Sequence, residues 1–482
     1  MEWLNRQLLL QKLDNPLGFV TLLGIAVFVS AVVGFLGVEL GAVLLGLSIA
    51  IPLMALCLMH VQLGIAFSLI AAFFINFFSK YTYAPVGLML DGLLALLILS
   101  AVVQISYKRD WAFPKSPISI VILVWIGYNI IQVLNPEAAS KTAWAYTVRS
   151  LAILQLLYFL TCYAIRNFEH IKYLLKLIIA LGLLSALYGI KQEFFGYSSQ
   201  EWAWLYQDST RYQLIVQWNR YRAFSLFSDP TTFGTLMAYL GTFCLVLATG
   251  PFATKKRIAL VVGGVLMYLA MAYAGSRTPF ILIPAAILIF ALLNLNKNVI
   301  IGTGVFFMIG TAFVMKSTTN PVVYRIQSAF KPGKDASVQV RLDNQKMIQP
   351  YIQDHPFGAG LGSTGVWGER FSPDSWLAGF AHDSAYVRVA VEMGWVGLLI
   401  YLSTFFIAMR LAVYYYHRVY NPKIKVCYLG FAIIIFMLGL ASYPQEVVTL
   451  LPNNVVFYVL LAIIVKLKDY DTKPSEPKLQ KT

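Results

Sequence analysis

Residues 257–295 read RIALVVGGVLMYLAMAYAGSRTPFILIPAAILIFALLNL. Two apolar runs, 257–274 and 278–295, are separated only by the short turn Gly275-Ser276-Arg277. Each run is about the length a helix needs to cross the hydrocarbon core of a bilayer. Lipid offers no partner to backbone N–H and C=O groups, so such runs must close their hydrogen bonds internally, as helices. Arg277 is thereby fixed at one membrane surface, while Lys255, Lys256 and Arg257 mark the other.

Outward from this hairpin the pattern repeats. Further apolar runs fall near 17–36, 38–58, 61–79, 85–106, 117–134, 145–165, 171–190, 230–249, 297–315, 385–409, 425–443 and 452–466. The expectation is an all-α polytopic membrane protein with about fourteen transmembrane helices. The 482 residues are 59% hydrophobic and 12% charged, whereas a soluble domain carries about a quarter charged residues. The alternating pattern of an outer-membrane barrel is absent. A net charge of +15 would suggest nucleic acid in a soluble chain. Here the basic residues flank the spans as topology signals, so no nucleic-acid partner is implied. Cys57, Cys162, Cys244 and Cys427 lie in or beside apolar runs, which fits neither a disulfide framework nor a zinc site.

Orientation follows from the short loops. YKRDWAFPK, RNFEHIKYLLK, ATKKR and RVYNPKIK are basic, and the loops around Lys80 and Lys141 are not. This bias places both termini in the cytoplasm. Residues 1–16 form an amphipathic segment on the cytoplasmic membrane surface. The spans of 17–190 follow, then a periplasmic loop at 191–229, the spans of 230–315, a larger periplasmic loop at 316–384, the spans of 385–466 and a charged, disordered tail at 467–482. The first loop is rich in aromatics, namely Trp202, Trp204, Tyr206, Tyr212, Trp218 and Tyr221. They suit stacking on sugar rings or anchoring at the interface. The second carries an amphipathic helix near 337–353, followed by HPFGAGLG, His355 to Gly362. Those glycines follow His-Pro rather than a strand, so they read as a tight turn and not as a dinucleotide loop.

Four basic residues share the non-cytoplasmic face in this topology: Arg222, Arg277, Arg341 and His382. Arginine binds phosphate oxygens in bidentate fashion, and histidine titrates in the range suited to a general base. Interfacial anchoring is the alternative for each arginine, and a structural hydrogen bond is the alternative for His382. Asp91 and Arg149 lie at similar depth inside spans, which suggests an ion pair or a contact with substrate. Arg388 and Glu392 are four apart on one helix and suit pairing. No acidic cluster of metal-ligand type is evident, and no cofactor is implied.

The order of these residues resembles the O-antigen ligase and O-antigen polymerase superfamily of bacterial membrane glycosyltransferases. The resemblance runs from YGIKQ (Tyr188 to Gln192) through Arg222, Pro230 and Gly234 to GSRTP around Arg277. It continues with Arg341-Leu342, HPFGAGLG and His382-Asp383-Ser384-Ala385-Tyr386, and ends at Glu392, Gly394 and Gly397. It implies a GT-C-like membrane fold and an inverting, metal-independent transferase in the bacterial inner membrane, its active site facing the periplasm. The donor is a glycan on undecaprenyl diphosphate, the acceptor a hydroxyl on lipid A core or another glycan or lipid, and membrane lipids surround the site. His382 matches the proposed base. Arg222 and Arg277 match the diphosphate-binding arginines, and Arg341 a further basic position. Asp91, Arg149, Tyr386, Arg388 and Glu392 are supporting candidates. Within the superfamily a ligase and a polymerase both remain open. A lipid-linked sugar transporter or flippase is the rival from another class, although it would spread charges through the bilayer core.

Overall fold

The computed structural model describes residues 59–81, 87–109, 114–217, 220–316, 318, 321–330, 336–380 and 382–472, with isolated positions between 19 and 57. The amphipathic segment 1–16, most of the spans expected at 17–36 and 38–58, Trp218 and the tail 473–482 lie outside the described residues. The chain divides into Met1–Gly64 and Ile65–Thr482. All the elements discussed below the first helix belong to the second unit.

Each span expected from residue 61 onward is a helix. The elements are α1 (Val61–Phe78), α2 (Gly87–Lys108), α3 (Pro117–Ile131), α4 (Lys141–Ala164), α5 (Phe168–Phe195), α6 (Ser199–Tyr206), α7 (Ser209–Ile215), β1 (Val216–Gln217), β2 (Arg220–Tyr221), α8 (Pro230–Ala248), α9 (Thr254–Ala274), α10 (Thr278–Leu293), α11 (Lys297–Met315), α12 (Pro321–Ser328), α13 (Ala336–Asp354), α14 (Gly365–Phe371), α15 (Ala385–Arg418), α16 (Pro422–Ala441) and α17 (Asn453–Lys466). Among the described residues ten helices are long and apolar enough to cross a membrane. The apolar helices α10, of 16 residues, and α17, of 14, are shorter. The chain is an all-α polytopic membrane protein, and among the described residues the only strands form the small antiparallel hairpin β1–β2, which the sequence reading did not anticipate.

Helix α8 is the most enclosed, packed by α5, α9, α10 and α16. Gly241 and Gly264 let α8 and α9 approach backbone to backbone, since a Cβ on Gly264 would lie 3.0 Å from the Gly241 carbonyl oxygen. Small residues at such crossings supply the close packing that lipid, itself apolar, does not drive. At the outside, α11 buries none of its apolar window.

Helix α15 extends well past the expected end at 409, and it is broken at Gly394, whose φ of 68° lies in the left-handed region. A side chain there would meet the Pro356 carbonyl oxygen at 1.9 Å, so only glycine fits. The break is filled by the glycine turn of 355–362. Ala359 N–H donates to the Val391 carbonyl, and Tyr128 Oη donates to the Met393 carbonyl. Gln132 Nε2 donates to the Phe357 carbonyl and Asn135 Nδ2 to the Gly358 carbonyl. Carbonyls freed by the broken helix or exposed by the turn thus find donors on α3 and the loop after it, as a buried backbone requires. Beneath lies a small apolar core of Ile348, Ala359, Leu377, Phe380 and Val391, which seats α13 and the segment up to 380 on α15.

YGIKQ organises the other long connection. Gln192 Oε1 accepts from the backbone of Phe224 and Ser225, while its Nε2 donates to Glu201 Oε1. Lys80, after α1, donates to the Ser225 and Phe227 carbonyls beneath the faces of Trp204 and Phe224. Burial pulls its pKa down to about 7, against the opposing charge of Glu201. These contacts gather the connections around 80, 132–138, 192–231, 274–278, 355–384 and 442–446 at one end of the bundle. The far end holds one departure from expectation. Residues 467–470, read as the start of a disordered tail, form a 3-10 turn after α17, and Asp471 accepts from the backbone of Tyr420 and Asn421 ahead of α16.

Candidate functional site

That gathered end encloses a cavity of about 1460 Å³, and Arg222, Arg277, Arg341 and His382 all line it. Arg277 is set by the tight turn between α9 and α10. Gly275 takes a left-handed φ of 58° to end α9, and Pro279 starts α10. Three helices present their N-termini to the cavity, through Thr231 and Thr232 of α8, Thr278 of α10 and Ser384 ahead of α15. Asp229 caps α8 and Ser384 caps α15. Helix α10 has no side-chain cap, so its N–H groups and the Arg277 charge together form a favourable place for an anion.

Arg222 differs from the expectation of a plain anion clamp. It is buried, with Nε donating to the Ala274 carbonyl at 3.1 Å and Nη1 to the Leu214 carbonyl at 2.9 Å. It closes the C-terminus of α9 and braces the cavity wall. Arg341, on α13, pairs with Asp383 at 3.1 Å, and both are substantially exposed.

His382 is the most defined group. Its Nδ1 lies 2.8 Å from Glu446 Oε1. Its Nε2 is buried and has no hydrogen-bond partner among the described residues. A Cβ on Gly365 would sit 3.2 Å from that nitrogen, a crowded contact that glycine avoids. Glu446 also takes Arg388 Nη1 at 2.6 Å, while Arg388 Nε reaches Glu392 Oε2 at 3.5 Å. The simple i,i+4 pair expected of Arg388 and Glu392 is therefore the looser half of a bridge between two carboxylates. Glu392 is buried and accepts from Thr364 Oγ1 at 2.8 Å. Burial drives the His382 pKa down, but the hydrogen bond and charge of Glu446 raise it further, and the net effect is upward. Burial opposes ionisation of Glu446, yet His382 and Arg388 hold it down at about 2. A carboxylate on Nδ1 fixes the tautomer that leaves the Nε2 lone pair as a base.

The supporting candidates divide. Arg388 lines the cavity, whereas Glu392 faces a small internal chamber of about 50 Å³ behind it. Tyr386 turns towards α16, donating to the Gly439 carbonyl. Asp91 and Arg149 pair at 3.2 Å, and Arg149 lies over the Tyr146 ring. Neither lines the cavity. Glu446 escaped the sequence reading. Its only signal was a lone acidic residue in a short loop on the same face as His382.

A bundle of membrane-spanning helices with arginines and a carboxylate-held histidine around one end cavity defines a class, that of a polytopic membrane protein with a basic end cavity. Residues 262–402 match the family model for O-antigen ligase, a stretch that includes Arg277, Arg341 and His382 and leaves out Arg222 and Glu446. That match, over under a third of the chain, supports the O-antigen ligase and polymerase superfamily and suggests a glycosyltransferase-like enzyme, in a chain whose apolar helices make it a multi-pass membrane protein. No curated protein matches it.

Proposed function

We propose that the protein transfers a glycan from undecaprenyl diphosphate to an acceptor hydroxyl, as a ligase of cell-surface polysaccharide biosynthesis, on the periplasmic face of the bacterial inner membrane. The observation that carries this reading is one cavity lined both by His382, whose Nε2 is unpartnered among the described residues, and by Arg277 at the uncapped N-terminus of α10. The Lys/Arg bias of the short loops supports the periplasmic assignment.

In this reading the donor's diphosphate lies against Arg277 and the N-terminus of α10, with Arg341 beside it and Arg222 holding the wall in place. The acceptor hydroxyl approaches His382. As its oxygen forms a bond to the anomeric carbon, its proton passes to Nε2. The bond from that carbon to the phosphate oxygen breaks, and the electron pair leaves with the diphosphate. One displacement inverts the anomeric centre. The arginines stabilise charge where it develops, and Glu446 stabilises the imidazolium that forms. Every step is carried by the chain's own residues, without a metal.

The test is reconstitution of the purified protein with an undecaprenyl-diphosphate-linked oligosaccharide and a separate glycolipid acceptor. Glycan on that acceptor is the expected result. Longer lipid-linked chains would assign a polymerase instead, and movement of intact donor across the bilayer without transfer would assign a transporter.

A further inference from the structure

Two aromatic stacks each contribute one ring to the cavity lining. In the first, Trp202 and Tyr206 stack at 5.6 Å and 20°, and Tyr206 and Tyr212 at 5.7 Å and 21°. Tyr212 lines the cavity, and Tyr206 is 67% exposed. Centroids this far apart in nearly parallel rings mean an offset staircase, whose inner end packs on Tyr197 and Tyr221 through Trp202. In the second, Tyr146 stacks on Trp367 at 5.0 Å and on Phe371 at 5.2 Å, and Trp367 lines the cavity.

We propose that these are two glycan subsites, the Trp202–Tyr206–Tyr212 staircase for the sugars of the diphosphate-linked donor and the Trp367 stack for a sugar acceptor. The proposal rests on the transferase reading and adds that the acceptor hydroxyl belongs to a pyranose. A sugar ring offers a flat C–H face to an aromatic ring and a rim of hydroxyls to amides, which both donate and accept. Gln213 and Gln217 line the cavity beside Tyr212, and Asn344 and Gln345 line it from α13. Aromatics that serve only as interfacial anchors have no reason to face such a cavity.

The assignment of sides follows from neighbours. Tyr212 is two residues from Leu214, whose carbonyl holds Arg222, so the staircase begins on the arginine side. Trp367 is two residues from Gly365, which abuts His382 Nε2, so its stack lies on the side of the base. A donor held by its diphosphate would lead its sugars outward past Tyr212 to Tyr206. An acceptor with its hydroxyl at His382 would rest its ring by Trp367.

The experiment measures both KM values of the reconstituted full chain, with donors of one, two and four sugar repeats. Tyr206→Ala is expected to raise the donor KM about tenfold for the longest donor, the size of one aromatic contact, with little change for the shortest and none for the acceptor. Trp367→Ala is expected to raise the acceptor KM by a similar factor and leave the donor KM unchanged. Tyr206→Phe and Trp367→Phe should restore both values, and Val305→Ala, at an exposed position of α11 away from the cavity lining, should match wild type. Defects independent of donor length, or equal effects on both KM values, overturn the two subsites while transfer itself stands. A wild type that transfers no donor of any length overturns the transferase reading beneath them.

Discussion

His382 Nδ1 lies 2.8 Å from Glu446 Oε1, although 64 residues of chain separate them. This contact sets the tautomer, raises the pKa of the imidazole and leaves Nε2 as the ring nitrogen without a hydrogen-bond partner among the described residues. A base must be neutral to accept a proton, so transfer should decline as pH falls through the raised His382 pKa. Glu446→Gln keeps the shape and removes the charge. Its acid limb should move to lower pH, with a loss of rate of about 10²-fold. Measured pH–rate profiles of the two proteins decide this. An unshifted acid limb would separate His382 from the rate.

The same pair makes a prediction for stability. His382 has a raised folded pKa, so its contribution is present below its ordinary 6.5 and is lost as pH rises through the folded value. Glu446 has a lowered one, so its contribution is present above its ordinary 4.5 and is lost as pH falls towards about 2. The two overlap between 4.5 and 6.5. The difference in melting temperature between wild type and His382→Gln should be largest in that window. A difference that is flat with pH would contradict the pairing.

Gly394→Ala should destabilise the fold by about 3 kcal/mol or more. The left-handed φ disfavours any side chain, and the Pro356 carbonyl occupies the space a Cβ needs. Gly310→Ala, at a position with nothing within 4 Å of a Cβ, is the control and should be neutral. Thermal unfolding in detergent compares them.

The spans were legible because lipid leaves an apolar run one way to satisfy its backbone, so 61–79 and 230–249 could only be helices. Arg277 was legible for a related reason, since a turn so short between two spans has a single location. Arg222 was legible as a position and not as a contact set. Its partners are the carbonyls of Ala274 and Leu214, and a carbonyl carries no sequence signature. Arg388 showed the limit of local pairing rules. Glu392 is four residues away, yet Glu446, 58 residues away, holds it more closely. Glu446 itself sits in a loop with no motif, and only the closing of α16 and α17 behind α15 brings it to His382.

Sidedness is tested by labelling. Position 255 opens α9 and position 277 follows its end, so Lys255→Cys and Arg277→Cys should react with an impermeant maleimide from opposite faces of the membrane, position 277 from the periplasm. Cys57, Cys162 and Cys244 are buried, which keeps the background low. Labelling of both from one face would refute the topology and with it the periplasmic site.

The last prediction concerns the charge at the turn. Arg277 is placed between two helices whose ends are fixed by Gly275 and Pro279, and it stands beside an uncapped helix N-terminus. An arginine so placed suits stabilisation of a leaving diphosphate, because the site needs no rearrangement when charge develops. Arg277→Ala should lower kcat by about 10²-fold or more while insertion and melting temperature stay close to wild type. Arg277→Lys retains the charge and loses the planar fork, so it should recover only part of the rate. A lipid anchor would behave differently, since lysine reaches a headgroup as well as arginine does and neither variant would alter chemistry. Single-turnover transfer by purified, folded variants separates the two cases. An alanine variant with undiminished single-turnover rate would take Arg277 out of the active site and leave the anion to the α10 N-terminus and Arg341.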